Sequence, residues 1–365
     1  MKMLELMAKG GFEQVIALSD PSCGLAGFVV IHDTSRGPAA GGIRLYPYQD
    51  EGQALADGFK LARAMTFKAA AADLPVGGGK IVLIEHPDLV RQDTLYAVGR
   101  AIQSLGGRFL AGRDVGVPIE QGAWIRSETE YMVDESDSGV GDLNRATAIG
   151  VEAGARAAIR FHLGADSWKG VRIAIQGAGG VGRWLAKIFS AEGAELVVSD
   201  LHERALEDLA REIDFIAVGP EDIYSAARDV FCPCAVGGVL NHSTINHLSA
   251  RVVAGSANNV LDEPEIGQIL HGRNVVYAPD YLVNAGALIQ GIRFLLTGER
   301  ESPIEISRIG ERTFQLLEQS ARSKEPPETI LEKQTLTRIE QQRSWRKWTW
   351  PSSREDKTQR REGVE

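Results

Sequence analysis

The sequence predicts an α/β protein of two domains separated by a cleft, and three observations predict it. The chain has 365 residues, enough for two cores of ordinary size. Short β-branched segments alternate with helix-length segments along it. Several of the later short segments are continuous apolar runs, as expected of a parallel sheet covered by helices on both faces.

In order along the chain, "GFVVIHD" (Gly27 to Asp33), "GGIRLY" (Gly41 to Tyr46), "KIVLIE" (Lys80 to Glu85) and "GRFLAG" (Gly107 to Gly112) read as strands of a first domain. Between them "EGQALADGFKLARAMTFKAAAA" repeats small and apolar residues at helical spacing, with acids early and basic residues late, as the helix dipole favours. The polar, glycine- and serine-rich "DESDSGVGDLN" (Asp134 to Asn144) reads as a hinge. A helix packed with alanine and glycine, "RATAIGVEAGARAAIRFHL", follows it. "VRIAIQ", "ELVVSD", "DVFCPCA", "RVVAGS" and "VVYAPD" are the second series of strands, and a long helical region begins near Asn284. The domain boundaries expected are 1–140 and 141–325, then a C-terminal helix over 326–345 returning towards the first domain and a charged, flexible tail over 346–365. Trp345, Trp348 and Trp350 stand close together near that tail, read as a terminus with one docked aromatic in preference to a partner-binding or membrane-touching segment.

The net charge of −9 is spread along the chain and repels phosphate backbones and anionic lipid, so neither nucleic acid nor membrane is an expected partner. No apolar run reaches the roughly 18 residues a bilayer span needs, and the N-terminus carries acids where a signal peptide has an apolar core. A cytoplasmic location is expected. Cys23, Cys232 and Cys234 are too few and too unevenly placed for a disulfide framework. "CPC" has the wrong spacing for a zinc pair and reads as buried thiols at a strand end, while His242 and His247 read as surface or capping residues. No metal is expected.

The stretch "VRIAIQGAGGVGRWLAKIFSAEGAELVVSD" carries a dinucleotide signature in full context. A strand ends at Gln176; Gly177, Gly179 and Gly182 form G-x-G-x-x-G; a helix follows; and a second strand ends at Asp200. The first glycine permits the tight turn, the second the approach of a pyrophosphate, the third the close packing of helix on strand. Amides at the helix start, at Gly180 and Val181, then face the diphosphate. Asp200 lies 23 residues past Gly177, where a carboxylate accepts both adenosine ribose hydroxyls and repels a 2′-phosphate. NAD is therefore preferred to NADP, with His202 and Arg204 leaving some NADP use open. The domain is Rossmann-like.

"MTFKAAAADLPVGGGK" (Met65 to Lys80) sets Lys68 and Lys80 among small and apolar residues, with the triple glycine removing side chains where something approaches the backbone closely. One reading is a dipole-favoured helix lysine and a solvated loop lysine. The other brings both amines into one cleft, where a lysine held by an anion keeps its proton and its neighbour loses one more readily, becoming a base.

Here the residues carry a resemblance. "GPAAGGIRLYP", "MTFKAAAADLPVGGGK", "GRDVGV", "TAIGV", "IQGAGGVG", "AGSANNVL" and "YAPDYLVNAGALI" resemble, in order and spacing, motifs of the leucine/phenylalanine/valine dehydrogenase branch of the amino-acid dehydrogenases, relatives of glutamate dehydrogenase. The resemblance runs from about residue 25 to about residue 300. It implies an enzyme whose first domain binds the amino acid and forms the oligomer while the second binds NAD. It implies that Lys68 holds the substrate carboxylate with backbone groups at Gly41, Gly42 and Gly77, that Lys80 activates water, and that Asp114 shuttles protons to and from the substrate nitrogen. Thr147, Ala235 and Asn258 then lie on the cofactor side and Asn284 near the substrate. Taken alone, Thr147 reads as a helix residue bonding its own backbone, and Asp114 as either a loop cap or a catalyst.

By the same resemblance, Ala40, Gly112 and Leu282 choose the substrate. No cation stands at Ala40 to meet a γ-carboxylate, so glutamate is disfavoured. Gly112 is shared with phenylalanine-type enzymes where leucine-type ones have alanine, and Leu282 also matches the former. An aromatic substrate, phenylalanine or tryptophan, is expected, deaminated reversibly to a 2-oxo acid and ammonia by a homo-oligomer, dimer or octamer. Two departures stand out: "SGVGDLNRATAIG" lacks the usual proline and serine before the threonine, and Arg113 adds a cation beside Asp114. The alternatives are a leucine or branched-chain dehydrogenase and a catalytically silent NAD-binding regulator.

Overall fold

The computed structural model describes residues 3–226 and 229–343; the tail over 346–365 and the tryptophans Trp345, Trp348 and Trp350 lie outside the described residues. The chain divides into two compact units, one of Met1–Thr66, Pro75–Met132 and the chain from Arg338, the other of Phe67–Leu74 and Val133–Thr337.

The first unit contains α1 (Met3–Gly10), β1 (Gln14–Asp20), β2 (Leu25–Asp33), β3 (Ala39–Tyr46), most of α2 (Glu51–Ala71), β4 (Gly77–Ile84), α3 (Arg91–Ser104), β5 (Phe109–Arg113) and α4 (Ile119–Arg126). Its sheet has the order β1-β2-β4-β3-β5, with β1 and β4 antiparallel to β2, and β4 and β5 parallel to β3. Strand alternation sorts the side chains. Val29, Ile31, Ile43, Leu45, Ile81 and Leu83 enter one core with Leu95, Val98 and Ile102 of α3 and Ile125 of α4. Val30 and Val82, on the other face, pack beneath α2 through Leu55, Phe59, Ala62 and Ala54. Period two places Arg44 and Lys80 on this α2 face.

Two features of this unit differ from the sequence reading. β1 was not anticipated, because it is an edge strand whose side chains are only half-buried or exposed, so its apolar signal is weak. The triple glycine is not a loop in front of a strand: β4 begins at Gly77. What approaches these glycines is the protein's own chain, since a Cβ would lie 1.8 Å from Asp33 O at Gly77, 2.1 Å from Thr66 N at Gly78 and 2.7 Å from Phe109 at Gly79.

The second unit takes the end of α2 and contains α5 (Leu143–Leu163), β6 (Arg172–Gln176), α6 (Gly180–Ala191), β7 (Glu195–Ser199), α7 (Glu203–Ala210), β8 (Ile216–Ala217), α8 (Ile223–Ala226), β9 (Val230–Pro233), β10 (Val252–Val253), α9 (Pro264–Gly272), β11 (Val276–Tyr277), α10 (Asp280–Val283), α11 (Gly286–Thr297), α12 (Pro303–Ser323) and the start of α13 (Pro327–Arg343). Its strands are all parallel, in the order β11-β10-β9-β6-β7-β8. This is the doubly wound arrangement, and the order reverses between β6 and β9, where such sheets open a crevice at their carboxyl ends. Asp142 caps α5 by accepting from Asn144 N at 2.9 Å, and Gly164 ends that helix in the left-handed region at φ 67°. β10 and β11 pair over two residues each, shorter than their apolar runs, which continue into Ala254 and Ala278, buried just beyond the strands. Among the described residues no helix is long and apolar enough to cross a membrane.

Glu328 stands in the first turn of α13 with both carboxylate oxygens buried, and no other described residue donates a hydrogen bond to either. Burial pushes its carboxyl up from 4.5 to about 7. The fold therefore favours the protonated form, and its contribution to stability is full below pH 4.5 and is lost as pH rises through about 7. Glu328→Gln is expected to unfold at higher urea than the parent at pH 8, by on the order of 3 kcal/mol, with the gap closing at pH 4. A gap of equal size at both pH values would contradict this.

Candidate active site

Lys80 lies in β4 with its side chain 6% exposed, and its Nζ is 2.7 Å from Asp114 Oδ2. Asp114 follows β5 directly, and its backbone N–H donates to Ile43 O at 3.1 Å, which fixes its place beside β3. The same Oδ2 accepts from Arg44 Nε at 2.9 Å. Arg44 reaches on to Asp57 Oδ2 of α2 at 3.1 Å, and the Tyr48 hydroxyl donates to that oxygen at 2.6 Å. Burial lowers the affinity of Lys80 for its proton, Asp114 opposes this, Arg44 adds to it, and the net direction is down. Burial alone would raise the Asp114 carboxyl, but the charges of Lys80 and Arg44 outweigh it and hold it below the usual carboxylate range. A buried amine that gives up its proton readily and a carboxylate that keeps its charge are thereby in direct contact.

Gly42 is demanded by this pair: a Cβ there would lie 2.8 Å from Asp114 Cβ and 2.9 Å from Lys80 Nζ. Gly41 is demanded by the strands, with a Cβ only 1.9 Å from Gly79 O. Gly112 pairs with Gly42 across β3 and β5, and a Cβ on it would meet nothing within 4 Å. Ala40 is 1% exposed in β3, opposite Gly78 and Leu110.

Lys68 groups with the second unit, where its Nζ donates to Asn258 Oδ1 at 3.0 Å. Asn284 Nδ2 donates to the same oxygen at 3.0 Å and to Ser256 O at 3.2 Å. Three residues singled out in the sequence, Lys68, Asn258 and Asn284, are thus in one hydrogen-bonded group. Asn284 Oδ1 is buried and without a hydrogen-bond partner among the described residues, an acceptor that a ligand N–H would satisfy. Close by, burial raises the Asp280 carboxyl, while bonds from Val260 N and the charge of Lys68 pull the other way. Leu282 does not join this group. It is 1% exposed and packs with Ala71, Leu316, Ile330 and Leu331, beside α12 and α13. Thr147 Oγ1 donates to Leu143 O at 3.1 Å, one turn back along its own helix.

At the β6–α6 turn, Gly177 has φ 102° and its position is crowded by Ala235, both at the switch point of the sheet. A Cβ at Gly182 would lie 1.9 Å from Gly177 O, so the third glycine serves helix packing, whereas at Gly179 a Cβ would meet nothing within 4 Å. Gly179 and Gly180 are exposed and Val181 half-buried at the N-terminus of α6, where the first amides of a helix have no acceptor within it, a position suited to a diphosphate, with Asn144 packed beside Gly180. Asp200 is half-buried at the end of β7, its Oδ2 accepting from Ala178 N at 2.7 Å and its Oδ1 from His202 N at 2.8 Å. The turn itself thus orients that carboxylate. Cys232 is buried at the end of β9 and Cys234 half-buried just beyond, with their sulfurs 3.6 Å apart.

Sequence reasoning missed Arg44, Asp57 and Tyr48. The signal for Arg44 was available, since period two in "GGIRLY" puts it on the face of Gly42. Asp57 and Tyr48 gave none, because their part depends on how α2 packs. Arg113, beside Asp114 in sequence, donates to Val117 O at 2.8 Å and packs against Gly122. The second cation on Asp114 is Arg44.

A family model described as Glu/Leu/Phe/Val dehydrogenase, dimerisation domain, matches residues 13–135, and one described as Glutamate/Leucine/Phenylalanine/Valine dehydrogenase matches residues 199–291. The leucine dehydrogenase of Geobacillus stearothermophilus is 38% identical over 350 residues, 95% of each chain. The phenylalanine dehydrogenase of Lysinibacillus sphaericus is 40% identical over 286 residues, 76% of this chain and 75% of that one. The crystal structure of L-tryptophan dehydrogenase from Nostoc punctiforme matches with a TM-score of 0.81 at 34% identity, covering 94% of this chain and 99% of that one.

The packing separates two glycines that face each other across β3 and β5. Gly42→Ala is expected to cost about 1–3 kcal/mol in urea unfolding because Lys80 and Asp114 must move. Gly112→Ala is expected to change stability by less than about 0.5 kcal/mol. Equal costs at the two positions would refute the assignment of Gly42 to the ion pair.

Proposed function

Because the chain belongs to the glutamate/leucine/phenylalanine/valine dehydrogenase family, we propose that it catalyses the NAD-dependent, reversible oxidative deamination of an aromatic L-amino acid, phenylalanine or tryptophan. The products are the 2-oxo acid, ammonia and NADH. The observation that carries this reading is the buried Lys80 amine in contact with the Asp114 carboxylate.

The residues at the β6–α6 turn fit NAD: space over Gly179, the first helical amides at Gly180 and Val181, and an Asp200 carboxylate that suits ribose hydroxyls and opposes a 2′-phosphate. Gly177, Gly182 and Ala235 shape the turn that holds it. The bound cofactor supplies the acceptor for the hydride from the substrate Cα. Lys68 is the cation for the substrate carboxylate, and Asn284 Oδ1 is an acceptor suited to an N–H of the ligand. Asp114 first takes a proton from the substrate ammonium and gives it up to solvent; loss of hydride from the neutral amine then leaves an iminium, which an ionised Asp114 stabilises and a charged Lys80 would oppose. Neutral Lys80 takes a proton from water as the oxygen adds to the iminium carbon. Asp114 relays that proton from Lys80 to the nitrogen, and ammonia leaves as the hydroxyl gives its own proton to the again neutral Lys80 and the carbonyl forms. The match of the first unit to a dimerisation domain supports a homo-oligomer.

The open space at Gly112 supports an aromatic side chain. The 38% identity with a leucine dehydrogenase along 95% of the chain favours leucine as the second reading. Initial rates of NADH formation at alkaline pH with phenylalanine, tryptophan, leucine, valine and glutamate decide between them. An aromatic substrate should lead; leucine far ahead would hand the assignment to the second reading, and no turnover with NAD still bound would indicate a silent homologue. Lys80→Ala should abolish turnover and leave NAD binding, read by fluorescence, unchanged. Gly112→Ala should shift the ratio of kcat/KM from phenylalanine towards leucine by about 1–3 kcal/mol, the scale of one methyl group in a pocket. An unchanged ratio would remove Gly112 from the pocket.

A further inference from the structure

The mechanism needs Lys80 to lose a proton while a carboxylate sits 2.7 Å from it, and an isolated buried pair resists that loss. Once the lysine is neutral, the carboxylate is left buried without its counterion. The structure supplies a second cation. Arg44 Nε lies 2.9 Å from the same oxygen of Asp114, and its Nη1 lies 3.1 Å from Asp57 Oδ2, so the guanidinium bridges two carboxylates in a fixed orientation. A guanidinium keeps its charge throughout the working pH range.

We propose that Arg44 is a positioning residue that holds Asp114 ionised and frees Lys80 to act as a base, with Asp57, anchored by Tyr48, as its counterweight. This deepens the deamination reading and rests on it. The groups that face Lys80 are Asp114 from the segment after β5, Arg44 from β3 and Asp57 from α2. Tyr48 bonds Asp57, and its phenol stays neutral, raised by burial and by Asp57. With Lys80 protonated, the two cations balance the two carboxylates. With Lys80 neutral, one negative charge is left over to face the cationic iminium. Without Arg44 the same deprotonation would leave, of these four groups, two carboxylates and no cation, so the lysine would retain its proton to higher pH.

The two partners of the network therefore act on Lys80 with opposite sign. Removing the positive charge in Arg44→Gln should raise the acidic limb of the kcat/KM profile for oxidative deamination by about one pH unit, a roughly tenfold loss below the limb that is recovered at higher pH. Removing the negative charge in Asp57→Asn should move the limb down. Arg44→Lys should keep the limb near its original place with a lower plateau, because a lysine cannot bridge both carboxylates. KM for NAD should not change in any of the three.

A loss of equal factor at every pH in Arg44→Gln, or limbs moving the same way in Arg44→Gln and Asp57→Asn, would overturn the proposal. If circular dichroism shows that Arg44→Gln does not fold, Asp57→Asn and Arg44→Lys carry the test, and an unshifted limb in Asp57→Asn then refutes it. An NMR titration of protein carrying ε-13C lysine, with the Lys80 signal identified by its loss in Lys80→Ala, reads the same midpoint without turnover. An enzyme inert towards every amino acid whose Lys80 midpoint still rises in Arg44→Gln would sink the deamination reading and spare the network. An active enzyme whose midpoint stays put would do the reverse.

Discussion

The contact between Lys80 and Asp114 constrains the strands of the first unit around it. Lys80 is buried, so its charge is tolerable only beside an anion, and Asp114 reaches it only because β5 lies parallel to β3 and the chain turns just past Arg113. The strand between them, β3, must then carry no side chain at Gly42. Alternation does the remainder: fixing Gly42 towards the pair sends Ile43 and Leu45 into the core and Arg44 back to the pair's face. One ion pair thus accounts for Gly42 and Arg44 in β3, while Gly41 answers to Gly79 of β4.

The network also shows how a lysine can serve as a base although it touches a carboxylate. Desolvation favours the neutral amine, the nearest charge opposes this, and the guanidinium on the far side of that carboxylate shifts the balance back. The carboxylate meanwhile keeps its charge against the same burial because two cations share it. Opposite demands on two adjacent groups are met by a third group that does not itself change protonation.

In the second unit the corresponding constraint is the switch point of the parallel sheet. Reversal of strand order between β6 and β9 leaves the carboxyl ends of both strands open, and the glycine turn fills that opening with backbone. Three glycines there do three different jobs, visible as strain at Gly177, empty space at Gly179 and backbone contact at Gly182. The Asp200 carboxylate is aimed by the turn's own amide at Ala178, so recognition of a ribose and the shape of the phosphate loop are coupled through one hydrogen bond.

Local rules determined much of this protein from its sequence. Apolar runs and helical spacing marked most of the elements of both units, and the glycine turn with Asp200 was legible because its chemistry is local, a strand, a turn and a helix in succession. Lys68 and Lys80 stood out by their apolar setting, and Asp114 by resemblance. Only the tertiary structure decided that the triple glycine belongs to a strand packed on α2, that Leu282 packs with Ala71, Leu316, Ile330 and Leu331, and that Arg44 shares Asp114 with Lys80. Each of those outcomes depends on which residue from a distant part of the chain arrives within a few ångströms. Periodicity assigns a side chain to a face, but packing and the low dielectric of the interior choose its partner.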